Sequence, residues 1–237
     1  MKETNIKIEA YDKNNIIGVL NEPANKTNNL VIFYHGVTGH VNEHIIYNST
    51  KYFTSNNYAT FRFYFYSDEE QTRKFKNIDL KINVSDLNAV INYMCKEFAN
   101  IYLVGHSLGG LISASADLEK INSLVLWDPS VGNIKFSRIK LKGRHILDWG
   151  IEYLVGSKLY KDVTKNLTKN YGNINKPTLI ILAGSGYNKE FRKKAVDFIN
   201  NPNKKVKVIK NAGHTFDELG TEEELFRYTI NWFNRWI

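Results

Sequence analysis

A serine bracketed by glycines, in Gly105-His106-Ser107-Leu108-Gly109, directly follows the apolar run Ile101-Tyr102-Leu103-Val104. The pattern is G-x-S-x-G at the end of a strand-like segment. A serine at a sharp strand-to-helix turn has strained backbone angles and crowded neighbours, so glycines fit best two places before and two places after it. The turn lifts the hydroxyl clear of the sheet. The residues that follow, Gly110 to Leu118, read as a helix whose N-terminal N–H groups favour negative charge beside the serine. Strand, turn and helix together point to an α/β architecture with Ser107 as a candidate nucleophile.

With 237 residues and no linker-like stretch, the chain is long enough for one large α/β domain spanning 1–237. The single cysteine, Cys95, lies in a segment predicted helical from Asp86 to Phe98. No intrachain disulfide can form, and the thiol is expected as a small core residue. Residues Met1 to Lys7 carry no apolar signal core, and no run approaches the roughly 18 apolar residues of a membrane span. A cytoplasmic protein is expected. The formal charge of +8 is concentrated between Val131 and Gly172, where nine Lys or Arg stand against three acids. The remainder is nearly neutral and shows no interleaved Arg and aromatic pattern, so a nucleic-acid partner is not expected.

Eight strands are predicted: Asn5 to Ala10, Ile16 to Leu20, Leu30 to Tyr34, Ala59 to Phe65, Ile101 to Val104, Ser123 to Trp127, Thr178 to Ala183 and Lys205 to Ile209. The first two alternate apolar with polar residues around Asp12-Lys13-Asn14-Asn15, as an antiparallel edge hairpin does. Later strands are continuously apolar, as buried parallel strands are when helices cover both faces. Val84, Leu87, Val90, Ile91, Met94 and Phe98 recur at helical spacing and supply one crossover. The last helix is predicted to open on a capping box, with Thr221 as cap and Glu224 reaching back, and to run to Trp236. The basic segment 131–172 breaks the alternation after the sixth strand and reads as an insertion. Its first part, around Ile134-Lys135-Phe136 and Ile139 to Lys142, alternates like a half-exposed hairpin; its second, Ile146 to Leu167, is helical in pattern.

A serine hydroxyl needs a general base, usually histidine. Of six histidines, His106 lies inside the turn and must point away from Ser107, His145 lies in the insertion, and His35, His40 and His44 follow the third strand. His214, in Asn211-Ala212-Gly213-His214-Thr215, follows the eighth strand on a glycine-containing loop, late in the chain as the order Ser…acid…His requires. Acyl transfer also needs two N–H donors for the developing oxyanion. Leu108 supplies one, and Val37, in His35-Gly36-Val37-Thr38-Gly39 after the third strand, is the candidate for the other, with His35 and Gly36 shaping the loop.

The stretches His35 to Gly39, Phe61-Arg62-Phe63, Lys74 to Asn77, Asp86 to Tyr93, Ile101 to Gly110 and Ala212-Gly213-His214 together resemble the α/β-hydrolase superfamily, and within it small bacterial esterases of the cinnamoyl/feruloyl type. The resemblance covers nearly the whole chain. It implies a mostly parallel eight-stranded sheet in the order 1-2-4-3-5-6-7-8 with helices on both faces, and a lid after strand six, where 131–172 lies. Two departures stand out. Such esterases continue Phe61-Arg62-Phe63 with a Gly-x-Gly loop, whereas this chain has Tyr64-Phe65-Tyr66-Ser67-Asp68-Glu69-Glu70. Their acid follows the seventh strand in Gly-x-x-Asp, where Gly184-Ser185-Gly186-Tyr187 places tyrosine. Asp128, at the end of strand six, is the best substitute, since some α/β-hydrolases draw their acid from that strand; Asn188, Asp197 and Asp217 remain alternatives.

The leading expectation is a serine hydrolase of carboxylic esters, with Ser107 as nucleophile, His214 as base and Asp128 as acid. The lid's aromatic residues favour an aryl or medium-chain group, and its basic charge favours an anionic one. No metal or organic cofactor is implied, because no His or Cys cluster has ligand spacing. A thioesterase or small-amide hydrolase would use the same residues. From other classes, a weakened ligand-binding protein on a hydrolase scaffold, or a module presenting the basic lid to an anionic surface, remain open.

Overall fold

A computed structural model describes residues 1–131, 140–141, 144–148, 152–185, 196–197 and 199–237. In chain order the strands are β1 (Lys2–Glu9), β2 (Asn15–Glu22), β3 (Asn29–Tyr34), β4 (Ala59–Phe63), β5 (Asn100–His106), β6 (Ser123–Trp127), β7 (Lys140–Leu141), β8 (Arg144–Asp148), β9 (Glu152–Val155), β10 (Thr178–Ala183) and β11 (Lys204–Ile209). The helices are α1 (His44–Ser55), α2 (Leu80–Met94), α3 (Leu108–Ser115), α4 (Ser157–Val163) and α5 (Thr221–Phe233).

The main sheet runs β1-β2-β4-β3-β5-β6-β10-β11, the order expected from the resemblance. β1 pairs antiparallel with β2 from Lys2↔Glu22 to Glu9↔Asn15, and β2 antiparallel with β4, while the remaining neighbours are parallel. The continuous apolar runs follow from burial on both faces. Side chains alternate across a strand, so Leu30, Ile32 and Tyr34 of β3 join Ile101 and Leu103 of β5 in a core with α2 and α3. Val31 and Phe33 instead join Tyr102, Val104, Val125 and Trp127 in a second core with α1 and α5. Each fully buried aliphatic side chain of this kind contributes about 1.5–3 kcal/mol.

Local chemistry moves several element boundaries from their expected places. α2 begins at Leu80 because the Asp79 side chain caps it, accepting from the Ile82 N–H at 2.8 Å. It stops at Met94, so Cys95 is the C-cap; half-buried, it packs against the edge of the core and its thiol donates to the Asn92 carbonyl. α3 ends at Ser115, three residues before Leu118, where Ala116 turns extended. No capping box opens α5: Gly220, at φ +79°, takes the N-cap position, and the Thr221 hydroxyl donates to the carbonyls of Phe216 and Glu218. α5 also ends at Phe233 rather than Trp236.

The segment 131–172 falls between β6 and β10. Its expected hairpin strand Ile134 to Phe136 lies outside the described residues, but Lys140–Leu141 pairs with Arg144–Asp148 as a hairpin does. The expected helix from Ile146 to Leu167 is corrected: β8 and β9 pair antiparallel, from His145↔Val155 to Asp148↔Glu152, and among the described residues of that range only Ser157–Val163 is α-helical. Gly150 stands between the two runs, where a helix would have lost about 1 kcal/mol, and Ile, Leu, Tyr and Val suit cross-strand pairing. The later half is built into the main core, with Val155, Leu159, Val163 and Tyr171 each 0% exposed. Among the described residues no helix is long and apolar enough to cross a membrane.

Candidate active site

Ser107 ends the turn between β5 and α3 with φ 55° and ψ −119°, a conformation that costs a non-glycine residue energy and is held by its surroundings. The bracketing glycines are sites of close approach. A Cβ on Gly105 would meet the Gly109 carbonyl oxygen at 2.5 Å, and one on Gly109 would meet the carbonyl oxygens of Tyr34 and His35 at 2.2 and 2.6 Å. The start of α3 therefore packs directly on the end of β3. Ser107 occupies the N-cap position of α3, yet its hydroxyl makes no capping bond. It lies instead 2.8 Å from His214 Nε2.

His214 sits after β11, its side chain 31% exposed, and its Nδ1 is 2.6 Å from Asp128 Oδ2. Asp128 is fully buried just past the end of β6, at φ 41°, in the left-handed region that aspartate tolerates better than most residues. Its N–H donates to the Ile181 carbonyl at 2.8 Å, and its Oδ1 accepts from the Ala183 N–H at 3.1 Å. β10 thus aims the carboxyl at the imidazole, so both oxygens accept N–H donors. A carboxylate at Nδ1 selects the tautomer whose Nε2 is free to take the serine proton. Of the alternatives, Asp217 is exposed and accepts from the Thr215 hydroxyl at 3.0 Å, Asp197 is exposed, and Asn188 lies outside the described residues.

The loop after β3 closes over the same point. A Cβ on Gly36 would lie 3.3 Å from Ser107 Cβ and 3.7 Å from its Oγ, so the backbone of this loop approaches Ser107 closely at Gly36, next to Val37. Leu108, buried at the first position of α3, has an N–H with no intrahelical acceptor. His35 is 3% exposed and stacks on Phe65 with centroids 4.2 Å apart. Its Nδ1–H donates to the Gly36 carbonyl at 2.9 Å, and burial pushes its pKa down to about 3, so it is a neutral strut for the loop. Behind it, burial pushes the Glu43 carboxyl up to about 7, against the opposing pull of the His40 backbone and His44. His44 binds Glu222 at 2.7 Å, and His40 accepts from the Asn42 N–H at 3.1 Å.

Three supporting contacts were not foreseen from the sequence. His106 Nε2 lies 2.8 Å from the His214 carbonyl oxygen. The Ser130 N–H donates to the Ser107 carbonyl at 2.8 Å, and the Tyr171 hydroxyl, from the inserted segment, donates to the Ser130 carbonyl at 2.5 Å. Only His106 carried a signal, its adjacency to the candidate nucleophile. Among the described residues no group of three or more His, Cys, Asp or Glu side chains could hold a metal ion.

Comparison with known proteins agrees with this fold. A family model described as "Putative serine esterase (DUF676)" matches residues 24–135, which include Gly36, Val37, Ser107, Leu108 and Asp128. Est1E from Butyrivibrio proteoclasticus, in a structure with ferulic acid bound, superposes with a TM-score of 0.81 at 22% identity, covering 98% of each chain. The α/β hydrolase GrgF from Penicillium sp. sh18 gives 0.82 at 14% identity, covering 100% of this chain and 99% of that one. The Pyrococcus furiosus esterase Pf2001 gives 0.76 at 19%, over 99% and 93%. A search of curated proteins finds no match to the sequence. The resemblance read from the motifs is borne out: this chain has the α/β-hydrolase fold, and its residues 24–135 match the model of the family described as "Putative serine esterase (DUF676)".

Proposed function

We propose that the chain is a serine esterase that cleaves carboxylic esters through an acyl-enzyme on Ser107. The observation that carries this reading is the unbroken relay from Ser107 Oγ to His214 Nε2 at 2.8 Å and from His214 Nδ1 to Asp128 at 2.6 Å. Ser107 Oγ attacks the ester carbonyl carbon while His214 Nε2 takes its proton, and Asp128 stabilises the imidazolium that forms. The Val37 and Leu108 N–H groups hold the oxyanion, each worth about 10²–10³ in rate by analogy with such donors elsewhere. Collapse of the tetrahedral intermediate breaks the C–O bond, and His214 returns the proton to the leaving alcohol. Water then repeats the sequence on the acyl-enzyme, releasing the acid and restoring Ser107.

Residues 131–172 act in this reading as a cap over the acyl or alcohol side, within one domain spanning 1–237. The aryl acid bound by Est1E makes aryl esters the first substrates to try. A ligand-binding protein with a disabled site is disfavoured, because the acid missing after β10 is replaced from β6. The reading is tested by steady-state hydrolysis of p-nitrophenyl acetate and methyl ferulate by the wild type, Ser107→Ala and His214→Ala. Measurable wild-type turnover, falling by about 10⁴–10⁶ in kcat in each variant, is expected. Turnover that survives Ser107→Ala contradicts it, as does a folded wild type that hydrolyses neither ester.

A further inference from the structure

We propose that His106 is a positioning residue for His214, a buried N–H donor that fixes the base loop over Ser107; this rests on the esterase reading above. His106 is the last residue of β5, immediately before Ser107, with 4% of its surface exposed. Its Nε2 is 2.8 Å from the backbone carbonyl oxygen of His214. A carbonyl oxygen can only accept, so Nε2 carries the proton. The two imidazole rings lie with centroids 4.9 Å apart and planes inclined by 35°. On the other edge of the ring, Nδ1 lies 3.7 Å from where a Cβ on Gly36 would stand. His106 thus fills the space between the loop that carries Val37 and the loop that carries His214.

The base loop needs such an anchor. Other bonds of the loop backbone lie to either side of His214: Ser185 N–H to the Ala212 carbonyl at 2.9 Å, Ala212 N–H to the Ile209 carbonyl at 3.2 Å, Gly213 N–H to Glu218 Oε1 at 2.8 Å and Phe216 N–H to the Gly213 carbonyl at 3.2 Å. The His214 side chain itself is partly open to solvent. Both of its catalytic hydrogen bonds must hold through proton transfer, and a displacement of about 1 Å at such a group costs on the order of 10²-fold in rate. A donor rising from the rigid end of β5, next to the nucleophile, ties the base to the same strand that carries Ser107. Serine and base then move together.

The test compares His106→Phe, which keeps a ring and loses the donor, His106→Gln, whose terminal amide reaches as far as Nε2, and His106→Asn, whose amide is one methylene shorter. With KM for p-nitrophenyl acetate nearly unchanged, kcat is expected to fall by about 10–100-fold in the Phe and Asn variants and to return to within about threefold of wild type in the Gln variant. If the Phe variant does not fold, the Gln–Asn contrast carries the test. Equal kcat in Gln and Asn, or a folded Phe variant as fast as wild type, overturns the proposal. A second readout needs no turnover: the far-downfield proton resonance of the His214–Asp128 hydrogen bond. It should be retained in Ser107→Ala and His106→Gln and be broadened or lost in His106→Asn. A resonance unchanged in His106→Asn overturns the role of His106, whereas an inactive wild type showing the expected pattern overturns the esterase reading alone.

Discussion

Glu43 shows how a single side chain near the loop after β3 ties stability to pH. Its carboxyl lies where a Cβ on Gly39 would stand 2.7 Å from Oε2 and 2.8 Å from His35 Nδ1, so the glycine is what lets this acid pack against the loop. Burial raises its pKa from 4.5 to about 7 in the folded chain. The fold therefore favours the protonated form. Its stabilising contribution is complete below the unfolded value and is lost as pH rises from about 4.5 to about 7. His35 works in the opposite direction, its depressed pKa giving stability above about 6.5 that is lost as pH falls toward 3. Comparing variants isolates the acid: Glu43→Gln should gain several degrees in Tm over wild type at pH 8 and little or nothing at pH 4.5. A gain that is the same at both pH values would contradict the assignment.

At the scale of elements, the loop between β4 and α2 replaces the expected Gly-x-Gly with an aromatic wall held by ions. Tyr66 packs on Phe75 at 4.8 Å and its hydroxyl donates to the Gly39 carbonyl at 3.3 Å. Arg73, 8% exposed, anchors this loop: it reaches Asp12 of the β1–β2 turn at 2.8 Å and Asp86 of α2 at 2.7 Å, with a second bond from its Nε to Asp86. Burial pushes the Asp86 carboxyl up and Arg73 opposes it, while Arg73 holds Asp12 down at about 2. Arg73→Ala leaves Asp86 buried with no guanidinium, and a loss of about 3–5 kcal/mol in urea unfolding is expected. A loss below about 1 kcal/mol would show the network to be dispensable. The strands of the main sheet were legible in the sequence because burial on both faces writes continuous apolar runs, their order only through the resemblance of the motifs to α/β-hydrolases, and the serine turn because only glycines fit beside it. The capping box at Thr221 misled because Gly220 could supply a left-handed cap. The helix predicted over Ile146 to Leu167 misled because its apolar spacing also fits two short strands around Gly150. The sequence favours Asp128 over Asn188, Asp197 and Asp217, but the contact that holds its carboxyl toward His214, β10 delivering the Ala183 N–H, leaves no local pattern to read. The His106, Ser130 and Tyr171 contacts join residues distant along the chain and left no periodic trace.

For the whole molecule, the inserted segment is only partly an addition. Its second half completes the core beside α2 and α3, and Gly156 packs so closely on the Lys76 carbonyl oxygen that a Cβ would stand 2.0 Å from it. Asp162 accepts from the Leu80 N–H at 3.3 Å, joining the insertion to the start of α2. Leu159→Ala should therefore cost about 2–5 kcal/mol and preserve a single unfolding transition with an unchanged denaturant slope. A separate early transition would show that the segment folds as its own unit. The same molecule brings three distant chain positions, 107, 128 and 214, to one point at the C-terminal ends of the parallel strands, and the central claim is that they act as one relay on an acyl group. Fluorophosphonate labelling followed by intact mass and peptide mapping tests this most directly. One adduct on the peptide carrying Ser107 is expected, absent in Ser107→Ala and slowed by about 10³–10⁴ in Asp128→Asn. An unlabelled wild type, an adduct on another residue, or an Asp128→Asn variant labelled as fast as wild type would contradict it.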